Sequence, residues 1–147
     1  MRPWILSVLV FVALSIIACD PSAPRPGPLQ DFATACDRPN EGQTIAVEGY
    51  LRLPDSLMGS DSVDLLLYPN PEFTGEPVGV TMLFGDGPNR AENITSSYHD
   101  SDLKVHLADG RLVPFGTRVR VSGRMSYPVV PRDFACALEN PYVEVAK

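Results

Sequence analysis

From residue 44 onward the chain alternates. In TIAVEGYLRL (44–53) the odd positions Ile45, Val47, Gly49, Leu51 and Leu53 are apolar or small. The even positions Thr44, Glu48, Tyr50 and Arg52 are mostly polar. A period of two with one apolar face predicts a half-buried strand. A second strand is expected over 62–68, with Val63, Leu65 and Leu67 inward, and a third over 77–84, with Val78, Val80, Met82 and Phe84 inward. The intervening PNPEFTGE is turn chemistry, so these two strands read as a hairpin. LKVHL (103–107) is a fourth strand, and the Asp109-Gly110 pair after it marks a tight turn. The fifth, over 117–125, alternates cleanly, and the last covers 142–146.

The stretch 85–102 is polar and rich in turn residues. Within it, Asn89-Arg90-Ala91-Glu92 predicts a capped helix of one or two turns, because Asn accepts a backbone hydrogen bond and Glu three residues later can reciprocate. No segment of this region sustains a 3.6-residue period. The expected fold is mainly β: a small barrel of five or six strands with at most one short helix, or alternatively a β-sandwich.

TIAVEGYL and PFGTRVRVSGRM resemble the first and fourth strands of an OB-fold. Members of that family often carry a mid-strand glycine and a later G-x-x-V-x-V-x-G pattern, here Gly116, Val119, Val121 and Gly123. Glycine lets a strand coil sharply around a closing barrel. The resemblance implies an OB-like barrel over roughly 43–146, with the 103–113 hairpin as a unit beyond the family's five strands.

The first residues follow a different pattern. After Met-Arg-Pro, Trp4 to Ala18 is an unbroken apolar or small run of 15 residues. As a helix it would reach about 22 Å, short of a bilayer core of about 30 Å. A charged start and a short apolar centre describe an export signal. Ile16-Ile17-Ala18-Cys19 resembles the lipobox of bacterial lipoproteins, although Leu is commoner where Ile16 stands. That resemblance implies cleavage before Cys19 and lipid on its thiol, hence a bacterial envelope protein held at a membrane and facing the periplasm or the outside. Asp20 resembles an inner-membrane retention signal of enteric bacteria, but other bacteria read the position differently, so both membranes stay open. An uncleaved anchor, or a plain signal peptide leaving Cys19 a spare thiol, is the alternative. Four prolines follow in the nine residues Asp20 to Pro28. Such a segment favours extended polyproline II and reads as a spacer. The expected organisation is a leader over 1–18, a lipidated cysteine and tether over 19–35, and a barrel domain over 36–147.

With Cys19 assigned to lipid, Cys36 and Cys136 remain. In an oxidising compartment they are expected to pair. They do not form a CxxC, so a thioredoxin-like motif is not indicated. Two free thiols, or a metal or catalytic role, are the alternatives.

Charge narrows the chemistry. Without Arg2 the chain holds 11 Lys or Arg against 18 Asp or Glu. Between Leu53 and Asn89 there is no cation, while Asp55, Asp61, Asp64, Glu72, Glu76 and Asp86 are all acidic. An OB-fold's ligand face lies on its second and third strands. Here those strands repel a phosphate backbone, so nucleic acid is not an expected partner. Their outward positions Leu66, Tyr68, Thr81 and Leu83 form a candidate binding patch for a protein, a peptide or a sugar ring, unless 85–102 or the chain before Cys36 covers it. Arg118, Arg120 and Arg124 share one face of the fifth strand. They form a candidate anion face, or a solvated strand with cross-strand ion pairs to Glu48. His99 and His106, in YHDSDLKVH, are the only histidines. They are the residues a hydrolase would use, yet no G-x-S-x-G, Ser-x-x-Lys, H-E-x-x-H or phosphate-loop motif accompanies them. No catalytic residue, metal site or cofactor is expected. The expected function is a non-catalytic binding or assembly module for an envelope protein or small ligand, with a carbohydrate-binding module or a hydrolase as alternatives.

Intact-mass measurement of protein extracted from membranes checks the address. The expected mass starts at Cys19 and includes acyl chains; a retained leader and no acyl mass would refute it.

Overall fold

The computed structural model describes residues 22–147. The leader, the lipobox and Cys19 lie outside the described residues. Within them the chain forms eight strands and three single 3-10 turns. The strands are β1 (Thr44–Arg52), β2 (Ser62–Tyr68), β3 (Val78–Leu83), β4 (Arg90–Ala91), β5 (Lys104–His106), β6 (Leu112–Pro114), β7 (Arg118–Ser126) and β8 (Ala137–Val145). Five of them close into a barrel in the order β1-β2-β3-β8-β7. That architecture is consistent with the OB-like expectation.

The alternating positions do what their pattern requires. Ile45, Val47, Leu51, Val63, Leu65, Leu67, Val78, Val80 and Met82 are all buried in one core. Burying each such side chain contributes about 1.5–3 kcal/mol. Strands this short must approach closely to close, and Gly49 marks one such place. A Cβ there would lie 2.2 Å from the Tyr68 carbonyl oxygen.

The closing seam is β3 against β8. It is the barrel's parallel pairing and has only two registered pairs, Gly79 with Ala137 and Val80 with Leu138. The Cys36–Cys136 disulfide sits at this seam, with its Cα atoms 5.5 Å apart. The Gly79 amide donates to the Cys136 carbonyl oxygen at 2.8 Å. The bridge spans 100 residues of sequence. In the chain-entropy model a loop of that length stabilises the fold by up to about 4.7 kcal/mol.

Three expectations are corrected. First, residues 89–92 form no helix. Asn89 takes a left-handed φ of 58°, and its Oδ1 accepts from the Val143 amide on β8 at 2.8 Å. The side chain that would have capped a helix instead ties the loop to the barrel, and Arg90–Ala91 become β4. With the β5–β6 hairpin, β4 makes a separate three-stranded sheet. It delivers Ala91, Leu103, Val105 and Leu107 to the barrel core. Second, β8 begins at Ala137 rather than Tyr142. Its pairing with β7 shifts register between Ser122 and Arg124, opposite Asn140-Pro141, and Asn140 has a φ of 52°. A bulge accommodates the missing proline donor, so one strand looks like a turn followed by a strand.

Third, the tether does not remain free up to residue 35. The Ala46 amide donates to the Pro28 carbonyl at 2.9 Å, and the Gln30 amide donates to the Ala46 carbonyl at 2.8 Å. This strap occupies the edge of β1 that β2 leaves open, since β2 pairs only with Tyr50, Leu51 and Arg52. Unpaired strand edges invite wrong pairing, and the strap covers one.

Replacing both bridged cysteines, C36A/C136A, is expected to lower stability by about 2–5 kcal/mol, read from urea midpoints. An unchanged midpoint would show that the seam holds without the bridge.

Candidate binding groove between the 53–61 and 127–136 loops

The outer face of β2 and β3 is fixed by their register: Ser62 opposite Leu83, Asp64 opposite Thr81, Leu66 opposite Gly79. Leu66 and Tyr68 are buried here, at 7% and 9% exposure. They form a second cluster with Phe134 and Ala137, and Phe73 packs against it. The candidate patch is therefore not an open surface. Its cover comes from neither segment the sequence suggested. Phe73 stands in the β2–β3 turn, at a φ of 54°, with its ring edge-on to Tyr68 at 5.6 Å and stacked on Phe115 at 5.4 Å. Phe134 comes from the β7–β8 loop and lies on Gly79, where a Cβ would be 2.7 Å from the ring. Thr81 is half-buried and donates its hydroxyl to Asp64 at 2.8 Å. Of the four patch residues only Leu83 is exposed, at 51%.

What Phe134 leaves uncovered is a groove of about 420 Å³. Its floor is Ser62, Asp64 and Leu66 on β2. One wall is the 53–61 loop, through Pro54, Ser56 and Met58, and the other is Pro131, Arg132 and Asp133. Arg132 Nη1 lies 3.9 Å from Asp64 Oδ2 and draws the second wall toward β2. The loops carry solvent-facing apolar side chains: Met58 at 77% exposure, Val130 at 54%, and a fully exposed Val129. The 53–61 loop is held from behind. The Tyr98 hydroxyl donates to the Pro54 carbonyl at 2.6 Å, and Arg52 pairs with Asp100 at 2.9 Å. Burial, then the nearby Asp55 and Asp100 charges, push the Tyr98 phenol above its ordinary value, so it stays a neutral donor. The Asp100 hydrogen bond likewise raises the Arg52 guanidinium.

The candidate anion face divides. Glu48 is the register partner of Arg120. Its Oε1 accepts from Arg120 Nη2 at 2.7 Å and Nε at 3.0 Å, while its Oε2 forms an ion pair with Arg118 Nη2 at 2.9 Å. Glu144 lies 3.9 Å from Arg120 on the other side. Arg118 and Arg120 thus spend their charge on a largely buried carboxylate. Arg124 is exposed and, among the described residues, has no carboxylate partner.

The histidines lie apart in role. His99 precedes the Asp100–Asp102 turn, and its amide donates to the Asp102 carboxylate at 2.8 Å. His106 is nearly buried on β5, with Nε2 3.5 Å from Glu92 and no hydrogen-bond partner. Among the described residues no hydrogen bond joins either imidazole to a serine, threonine or cysteine. Nor does any group of three or more His, Cys, Asp or Glu there stand close enough to hold a metal ion. Tyr68 lines no part of the groove, whose one aromatic lining residue is Phe134, buried against Gly79.

The groove itself was not legible in the sequence. Period two marks which strand residues face out, but not which loop aromatics return to cover them. The one available signal was Gly79, a strand glycine that left room for a ring.

Comparison of the chain with protein-family models, with curated proteins and with solved structures finds no match.

Phe134→Ala should uncover Leu66 and Tyr68, cost about 3 kcal/mol of stability and create dye-binding apolar surface. Unchanged stability and no gain in hydrophobic-dye fluorescence would show that the cover is not what buries them.

Proposed function

We propose that this chain is a lipid-anchored bacterial envelope protein whose OB-like barrel acts as a non-catalytic binding module. The groove between the 53–61 and 127–136 loops receives an exposed segment of a partner protein. The observation that carries this reading is the exposure of Met58, Val129 and Val130 on loops that wall a concave, partly charged floor. Apolar side chains facing water beside a groove are poised to exclude water from an incoming chain, and flexible methionine suits varied surfaces. The Asp64–Arg132 pair and Asp133 supply polar contacts that fix orientation. The six acids between Leu53 and Asn89 disfavour a polyanion at this face.

Photo-crosslinkers placed at Met58 or Val129 in native envelopes should capture a discrete partner, and one at Asp109 in the β5–β6 turn should not. The triple change M58D/V129D/V130D should abolish capture with an unchanged melting temperature, because all three side chains are exposed. Capture that survives the triple change would refute the groove as the site.

A further inference from the structure

We infer that the strap, residues 22–30, seats the barrel directly on the bilayer, with the cleft between strap, β7 and β8 facing lipid headgroup phosphates. This rests on the reading of Cys19 as the lipid-bearing residue. The first observation is length. Ser22 is already in contact with the barrel, since Asn140 Nδ2 donates to its carbonyl oxygen. Only Asp20 and Pro21 lie between Cys19 and Ser22, three Cα steps that extend at most about 11 Å. The headgroup region is itself about 5–8 Å deep on each side. A tether free to residue 35 would reach roughly 50 Å as polyproline II. Docking of the strap removes most of that reach.

The second observation is that the strap is fitted rather than draped. A Cβ at Gly27 would lie 2.9 Å from backbone atoms of Thr44 and Ile45, so only glycine allows this approach. Pro24, Pro26 and Pro28 restrict the remaining backbone, so docking costs little chain entropy.

The third is charge. Where the strap meets β7 and β8 there is a cleft of about 370 Å³ lined by Arg25, Gly42, Arg124, Glu139 and Asn140. Arg25 and Arg124 are exposed and have no carboxylate partner among the described residues. Of the other described arginines, Arg52, Arg111, Arg118, Arg120 and Arg132 each pair with an acid, Arg38 lies over the Tyr127 ring, and Arg90 donates to the Phe84 carbonyl. The cleft's own carboxylate, Glu139, is engaged by the Ser126 hydroxyl at 2.8 Å. In a chain this acidic, two guanidiniums without an acid partner share a cleft lined by the strap residues that follow Cys19. Guanidinium is the side chain best matched to phosphate.

The test uses the full chain, processed and lipidated by its host, and reconstituted in phosphatidylethanolamine–phosphatidylglycerol vesicles containing a nitroxide headgroup lipid. A fluorophore is attached through E41C, beside Gly42 in the cleft, or through E72C in the β2–β3 turn. Along β1 these positions are separated by the run from Thr44 to Tyr50, about 20 Å. Several-fold stronger quenching at position 41 is expected. G27V, which drives the strap off β1, and R25E/R124E should each lower it toward the value at position 72 while the protein stays in the membrane fraction. Membrane-bound protein with equal quenching at both positions would overturn the seating and leave the lipid anchor standing. Protein absent from the membrane fraction would overturn the anchor and the seating together.

Discussion

The seam between β3 and β8 is the constraint on which the rest of this molecule depends. A barrel closed by two parallel residue pairs has little hydrogen bonding where it most needs it. Two additions compensate. The Cys36–Cys136 bridge fastens the residue immediately before β8 to the segment preceding β1, and the Gly79 amide bonds to the carbonyl of that same cysteine. The bridge restricts the unfolded chain most because it closes a loop spanning nearly the whole domain. It also fixes where the N-terminal segment must run, which is along the open edge of β1.

The same seam positions the groove. Phe134 lies two residues before Cys136, so the bridged strand end sets where its ring falls. It falls on Gly79 and seals Leu66 and Tyr68. The residues before it, Pro131 to Asp133, then form a wall instead of a cover, with Val129 and Val130 exposed beyond them. Asp64 joins the two sides, accepting from Thr81 on β3 and facing Arg132 on the loop. A rigid scaffold thus carries two loops with exposed apolar tips, the usual arrangement for recognition. Elsewhere on β1, Glu48 holds Arg118 and Arg120 in ion pairs across to β7.

Strands were legible wherever one face meets the core and the other meets water. β2 spans the same residues the alternation marks, and β1, β3 and β7 differ by a residue or so at their ends. Legibility failed where a side chain serves a distant partner. Asn89 carries a capping pattern, yet its carboxamide is consumed by Val143, which no local window contains. The first half of β8 was hidden because Glu139-Asn140-Pro141 has turn composition, and a bulge lets a strand include it. Leu66 and Tyr68 looked exposed because a second layer of aromatics, Phe73 and Phe134, comes from loops without periodicity. Proline content suggested a spacer, but proline restricts a chain without saying whether it is docked. The relevant cue was Gly27 among those prolines, a position with no side chain where the strap meets the backbone of β1.

The N-terminal segment is therefore tied repeatedly over a short distance: at Ser22 to Asn140, at residues 28–30 to Ala46, and at Cys36 to Cys136. On the proposal that Cys19 carries lipid, each tie shortens the leash between that anchor and the barrel. A module on a long flexible leash samples many heights and orientations, and a partner fixed in the same membrane must select among them. A module on a short, docked leash has already lost that freedom during folding, so less is lost on binding. Under the proposed reading, in which the groove takes a partner through a few exposed apolar side chains and one ion pair, such pre-orientation would do much to make weak recognition sufficient.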